Sequence, residues 1–151
     1  MTNQTNNINH TNHINHTNHI SHTSHINHIN KTAIITGASR GIGAAIAKKL
    51  ASCGYNLSLC CRNSSDRLKA LADELHCAYG IEVLCYTGNV GDFFFAKDMV
   101  TKTISHFGHI DVLINNAGIS HIGLLSDMTP DEWNNIVAIN LTGVFNFTKL
   151  V

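Results

Sequence analysis

The chain has 151 residues, 44% of them hydrophobic, which is enough for one domain of ordinary size with its own core. Ten basic residues balance ten acidic ones, and all of them lie between Lys31 and Val151. That neutral, mixed segment has no basic stripe of the kind a nucleic-acid partner requires, and no run of about 18 apolar residues exists to span a membrane.

Residues 1–30 differ in kind. From Ile8 onward a three-residue unit ends repeatedly in Asn-His or Ser-His, giving His10, His13, His16, His19, His22, His25 and His28. The segment lacks the basic start and continuous apolar centre of a secretory signal, so the chain is expected to be cytoplasmic. Triplets such as Asn9-His10-Thr11 then carry no glycosylation. Neutral imidazoles are good ligands for zinc, nickel or copper, which leaves weak, non-selective metal capture open to this tail. A disordered polar extension made by repeat expansion is the reading adopted, and no metal site is assigned. The five cysteines (Cys53, Cys60, Cys61, Cys77, Cys85) have no C-x-x-C spacing and sit mainly in apolar patterns, as buried or half-buried reduced thiols would.

From Thr32 short apolar runs alternate with helical stretches, the pattern of a parallel sheet with crossover helices. The first strand is read as Thr32 to Thr36, followed by the turn Thr36-Gly37-Ala38-Ser39-Arg40-Gly41-Ile42-Gly43. A helix from Ile42 to Cys53 places Ile46, Ala47 and Leu50 at helical spacing and stops at Gly54. A helix N-terminus offers unpaired N–H groups and the positive end of its dipole, and glycines at Gly37, Gly41 and Gly43 clear the approach for a diphosphate. Strand two, Tyr55 to Cys60, leads to Arg62 and the polar turn Asn63-Ser64-Ser65. A helix from Asp66 to Tyr79, with Leu68, Leu71, Ala72 and Leu75 on one face, ends at Gly80.

Strand three, Glu82 to Thr87, runs into Gly88-Asn89-Val90-Gly91-Asp92, and the helix that follows closes at Phe107-Gly108. Strand four, Asp111 to Ile114, is apolar on both faces, as in a buried parallel strand, and runs into Asn115-Asn116-Ala117-Gly118. After an apolar loop, Thr129-Pro130-Asp131-Glu132 predicts a capped helix that continues through Trp133, Ile136, Ile139 and Asn140. The fold expected is α/β, a Rossmann-type doubly wound parallel sheet incomplete at its C-terminus, with the ligand crevice at the carboxyl ends of the strands.

With these positions in hand, residues 31–151 resemble the short-chain dehydrogenase/reductase family. Thr36-Gly37-x-x-x-Gly41-x-Gly43 is similar to the family's phosphate loop, and Asn115-Asn116-Ala117-Gly118 to its second signature. Asn140, within Ile139-Asn140-Leu141-Thr142-Gly143, falls where the family carries a catalytic-set asparagine that helps organise a proton relay. The resemblance implies a cofactor site formed by Thr36, Gly37, Ser39, Arg40, Gly41, Ile42 and Gly43, by Arg62, by Asn89 and Val90, and by Asn116, Ala117 and Gly118. Within the family the chain looks like the 3-oxoacyl-(acyl carrier protein) reductase type. The run Gly123-Leu124-Leu125-Ser126-Asp127-Met128-Thr129 with Trp133 is similar to a branch that reduces a 5-aminopentanone group on elongation factor P.

The resemblance thus implies an NAD(P)-dependent oxidoreductase acting on a small-molecule or carrier-bound carbonyl substrate, and a homo-oligomer for the intact form. The segment Cys60-Cys61-Arg62-Asn63-Ser64 has no acid to repel a 2′-phosphate, while Arg62 and Arg40 can face one, so NADPH is expected over NADH; the alternative is that the arginines face solvent. At Asn89 relatives usually carry an aspartate that binds the adenine amino group, and an amide oxygen can still accept that bond. The family's tyrosine with a lysine four residues later is missing: Leu59, Val83 and Val90 stand four residues beyond Tyr55, Tyr79 and Tyr86. The chain is therefore expected to be the N-terminal half of a reductase, with the cofactor-binding part present and turnover by these residues alone not expected. A nucleotide-binding fragment without activity, or a weak metal binder through the tail, is the alternative.

Overall fold

In a computed structural model of the chain, residues 31–151 are described; the expectations for the histidine-rich tail lie outside the described residues. Four strands and five α-helices alternate: β1 (Thr32–Thr36), α1 (Gly41–Ser52), β2 (Asn56–Cys61), α2 (Ser65–Tyr79), β3 (Val83–Thr87), α3 (Phe93–Phe107), β4 (Val112–Ile114), α4 (Pro130–Val137) and α5 (Gly143–Leu150). All strands are parallel, in the order β3-β2-β1-β4. The chain winds outward from β1 to β3, then crosses back to the other side of β1 to lay down β4. This reversal opens a crevice beyond the carboxyl ends of β1 and β4.

Helices cover both faces of the sheet. Ala33, Ile35, Leu57, Leu59 and Cys61 pack under α1 and α2, where Leu68, Leu71 and Leu75 form the facing stripe. Ile34 and Cys60 point the other way, toward Met99 and Val100 of α3 and Phe147 of α5. The period-2 alternation thus puts apolar side chains on both sides, the signature of a strand buried twice. Ser58 falls on the α3 side, and its hydroxyl accepts a bond from Thr103 Oγ1 at 2.7 Å, so this buried polar pair is satisfied.

Element ends follow their local chemistry. Gly80 and Gly108 take left-handed conformations that close α2 and α3, and Asp92 caps α3 by accepting from the Phe94 N–H at 2.8 Å. The box expected at α4 is formed: Thr129 Oγ1 accepts from the Glu132 N–H, and Glu132 Oε2 accepts from the Thr129 N–H at 2.8 Å.

Two expectations need correction. The last helix is not uniform: Ala138–Thr142 form a π-helical turn between α4 and α5, placing Asn140 in a widened backbone. Of the cysteines, Cys60 and Cys61 are buried, but Cys53, Cys77 and Cys85 are exposed. Cys53 lies just past the end of α1, Cys77 on the solvent side of α2, and Cys85 on the sheet-edge strand β3, so an apolar neighbourhood in sequence did not translate into burial.

Candidate active site

The crevice begins with Thr36, the last residue of β1. Its side chain is only 2% exposed, and its hydroxyl donates to the Ile114 carbonyl at 3.3 Å while accepting from the N–H groups of Asn116 and Ala117, both at 3.0 Å. Asn116 answers from β4's end: its Nδ2 donates to the carbonyls of Thr36 and Gly37, each at 3.0 Å. One hydroxyl and one amide therefore lock the two strand ends on either side of the topological switch.

The lock leaves no room for side chains at Gly37 and Gly43. Gly37 has φ +67°, and a Cβ there would lie 2.9 Å from Ala117 Cα. A Cβ on Gly43 would fall on the Gly37 carbonyl oxygen and 2.6 Å from Asn116 Nδ2. Gly41, at φ +57°, faces open space, with nothing within 4 Å of an added Cβ. Behind it α1 starts without a capping side chain and with no acid in its first turn. Its leading N–H groups and dipole are thus left for an external anion, and the open cradle fits a diphosphate.

A cleft of about 520 Å³ extends from this turn. Of the residues expected to bind a cofactor, it is lined by Gly37, Ser39, Arg40, Gly41, Ile42, Arg62, Asn89, Val90, Asn116, Ala117 and Gly118. Thr36 and Gly43 stand behind the wall, where they shape it. Arg40 and Arg62 are exposed and, among the described residues, make no ion pair. No carboxylate lines the cleft among the described residues. Neutral groups complete it, notably Cys60, whose thiol burial pushes up to about 12, partly opposed by a hydrogen bond with the Gly37 backbone. It therefore stays uncharged at neutral pH.

The far wall is the loop after β3. Gly88 is held by its N–H donating to the Cys61 carbonyl at 2.9 Å, and Asn89 Oδ1 accepts from the Gly91 N–H at 3.0 Å. Buried Asn146 of α5 donates from Nδ2 to the Val90 carbonyl at 3.1 Å. A Cβ on Gly91 would lie 2.8 Å from the Ala138 carbonyl oxygen, so the loop meets the π turn at backbone distance.

Asn140 does not line the cleft. Its amide spans one residue of the loop after β4: Nδ2 donates to the Ile119 carbonyl at 2.8 Å and Oδ1 accepts from the Ile119 N–H at 2.9 Å. It acts here as a positioning residue, tying the π turn to the wall formed by Asn116, Ala117 and Gly118.

The sequence reading missed Asn63 and Ser64, which line the cleft beside Arg62, and also Cys60, Cys61, Gly88, Ile119 and Ile139. Position after β2 was a usable signal for the first two. Nothing in the local pattern marks Asn146, a polar residue buried on a helix, because its partner is 56 residues away. Among the described residues no group of three or more His, Cys, Asp or Glu side chains is placed to hold a metal ion, and no helix is long and apolar enough to cross a membrane.

A parallel sheet wound both ways from β1, with a glycine turn and an uncapped helix at the switch point, defines the Rossmann-type class of α/β domains. Within that class the chain belongs to the short chain dehydrogenase family, whose profile matches residues 31–151. It is 43% identical over 123 residues to a 3-oxoacyl-(acyl-carrier-protein) reductase of Staphylococcus epidermidis, covering 82% of this chain and 50% of that one. An acetoacetyl-CoA reductase of Rhizobium meliloti is 37% identical over 120 residues, covering 80% and 47%. Among solved structures, an alcohol dehydrogenase from the archaeon Thermococcus sibiricus, complexed with 5-hydroxy-NADP, matches with a TM-score of 0.76 at 38% identity, covering 80% of this chain and 51% of that one. The chain spans about half the length of the curated relatives it matches.

Proposed function

We propose that residues 31–151 are the N-terminal, cofactor-holding half of an NADPH-dependent carbonyl reductase. The observation that carries this reading is the combination at the cleft mouth: an open, uncapped α1 N-terminus, Arg40 and Arg62 without ion-pair partners, and no carboxylate in the lining. The first accepts a diphosphate, the arginines accept a further phosphate, and the missing acid removes the group that would repel it. The relative complexed with 5-hydroxy-NADP supports the same choice.

When bound, NADPH supplies a hydride to a ketone carbon. This chain's residues hold and orient: Thr36 and Asn116 fix the strand ends, Gly37 lets the walls approach, and Asn140 positions the loop after β4. The substrate is a ketone on a small molecule or a carrier, 3-oxoacyl-thioester-like in kind, as the names of the reductases from S. epidermidis and R. meliloti support. The run Gly123 to Thr129 with Trp133 supports the narrower placement beside reductases of the 5-aminopentanone group on elongation factor P. Self-association belongs to the same proposal, and Leu141, Val144 and Phe145, exposed near the end of the chain, supply an apolar face for it.

Arginine substitution tests the cofactor assignment. A charge-assisted bond contributes about 1.5–3 kcal/mol, so Arg62→Ala and Arg40→Ala should each weaken NADPH about tenfold or more while changing NADH only slightly. Equal loss for both nucleotides would show that the arginines do not meet the 2′-phosphate.

A further inference from the structure

The end of the sheet opposite the cleft is where residues 1–30 join the fold. They carry seven histidines, one every three residues from His10 to His28, and no Asp, Glu, Lys, Arg or Cys. The joint is fixed at Lys31, whose carbonyl accepts from the Asn56 N–H at 2.8 Å, and at Thr32, whose N–H donates to Asp111 Oδ2 at 2.7 Å. The same Asp111 oxygen lies 3.1 Å from Nε2 of His109, an exposed side chain just past the end of α3. One carboxylate oxygen thus holds the first strand residue and faces an imidazole. His28 stands four residues before Thr32, a reach of at most about 14 Å, and His25 seven residues before it, at most about 25 Å.

A carboxylate beside one nitrogen of a neutral imidazole keeps the proton on that nitrogen and leaves the lone pair on the other. Metal-bound histidines have this arrangement, with an outer carboxylate or carbonyl fixing the tautomer. For His109 the nitrogen left to ligate is Nδ1, which has no hydrogen-bond partner among the described residues. His106 sets Nε2 against Glu82 Oε2 at 2.8 Å in the same way, but Glu82 immediately precedes β3, two strands from β1. We propose that His109 and the histidines of residues 1–30, with His28 and His25 first within reach, jointly hold one divalent ion of the zinc, nickel and copper class. Imidazole is a ligand those ions favour, and a segment without carboxylates does not suit magnesium or calcium. Histidines of residues 1–30 acting alone would bind the ion equally in the folded and unfolded chain. A ligand from the folded body makes the ion bind the folded chain in preference, and ties residues 1–30 to the pole away from the cleft.

The test titrates zinc chloride into the full chain by calorimetry and repeats urea unfolding with and without saturating zinc. Loss of an outer partner costs about 10–100-fold in metal affinity and loss of the ligand itself at least as much, so His109→Gln is expected to weaken the tightest zinc site about tenfold or more. Zinc is expected to raise the urea midpoint of the unsubstituted chain and to leave that of His109→Gln unmoved. His106→Gln and His121→Gln, at histidines away from the joint, should change neither readout, and a full chain with all seven histidines of residues 1–30 replaced by glutamine should lose the tight site. Circular dichroism checks that each variant is folded. Equal zinc affinity in His109→Gln and the unsubstituted chain, or a midpoint that zinc does not move, would leave the metal to residues 1–30 alone and overturn the joint site. Tight binding by the all-glutamine variant, or equal losses at His106, His109 and His121, would overturn it as well.

Discussion

At the scale of single residues, the site depends on groups that shape it without touching what it holds. Thr36 Oγ1 serves three backbone partners at the β1–β4 junction. Replacing it with valine keeps the shape and leaves the Ala117 N–H without its acceptor, at about 1–3 kcal/mol, while the Asn116 N–H keeps the Ile114 carbonyl at 3.1 Å. Thr36→Val is therefore expected to lower the unfolding free energy by about 1–3 kcal/mol, read by urea unfolding; an unchanged midpoint would show that the junction does not need the hydroxyl. Cys60 makes a second residue-scale prediction. Its thiol goes from an ordinary value of 9.0 to about 12 in the folded chain, chiefly through burial. Below pH 9 the thiol is neutral in both states and contributes no pH dependence. Between 9 and 12 the unfolded chain releases the proton while the folded chain keeps it, so stability falls as pH rises, by up to about 1.4 kcal/mol per pH unit. Cys60→Ala should flatten that slope; an identical slope in the variant would remove Cys60 as its source.

At the scale of elements, the loop after β3 and the α4–π–α5 segment form one packed unit. Gly91 sits against the Ala138 carbonyl, Gly143 against Val90, and Asn146 bonds to Val90 from within α5. Gly91→Ala forces a methyl against a backbone oxygen that cannot rotate away, and is expected to cost about 1–3 kcal/mol in overpacking, measured by denaturant midpoint. No loss would mean that the loop and the π turn do not meet at this distance.

This unit also marks the limit of what the sequence made legible. The glycine turn, the four strands and the capping box at Thr129 and Glu132 all carry local signals, because turn chemistry, alternation and capping act within a few residues. The π turn has no such signal: Ala138, Ile139, Asn140, Leu141 and Thr142 read as plain helix, and their widened backbone goes with contacts to Gly91 and Ile119. Thr36 and Gly43 read as cofactor contacts because they belong to the glycine motif, yet their side-chain positions lie behind the wall, a distinction of depth that a linear pattern does not encode. The exposure of Cys53, Cys77 and Cys85 is missed for the same reason, since apolar neighbours in sequence do not say which side of an element faces solvent.

For the whole molecule, the matched region amounts to a sheet with its switch point and the cleft above it, between the glycine turn and the loop after β3. The family's Tyr-x-x-x-Lys does not occur in the 151 residues, so the purified chain should show no ketone-dependent NADPH oxidation above background. Turnover would mean that another group here supplies the proton. Holding a nucleotide asks less: a cradle, a charge pattern and a rigid wall, all present between Gly37 and Gly118. Calorimetric titration of folded 1–151 with NADPH and with NADH tests that claim most directly. NADPH is expected to bind at least about ten times more tightly, as one arginine–phosphate contact requires. Equal affinity for the two nucleotides, or binding of neither, would contradict it.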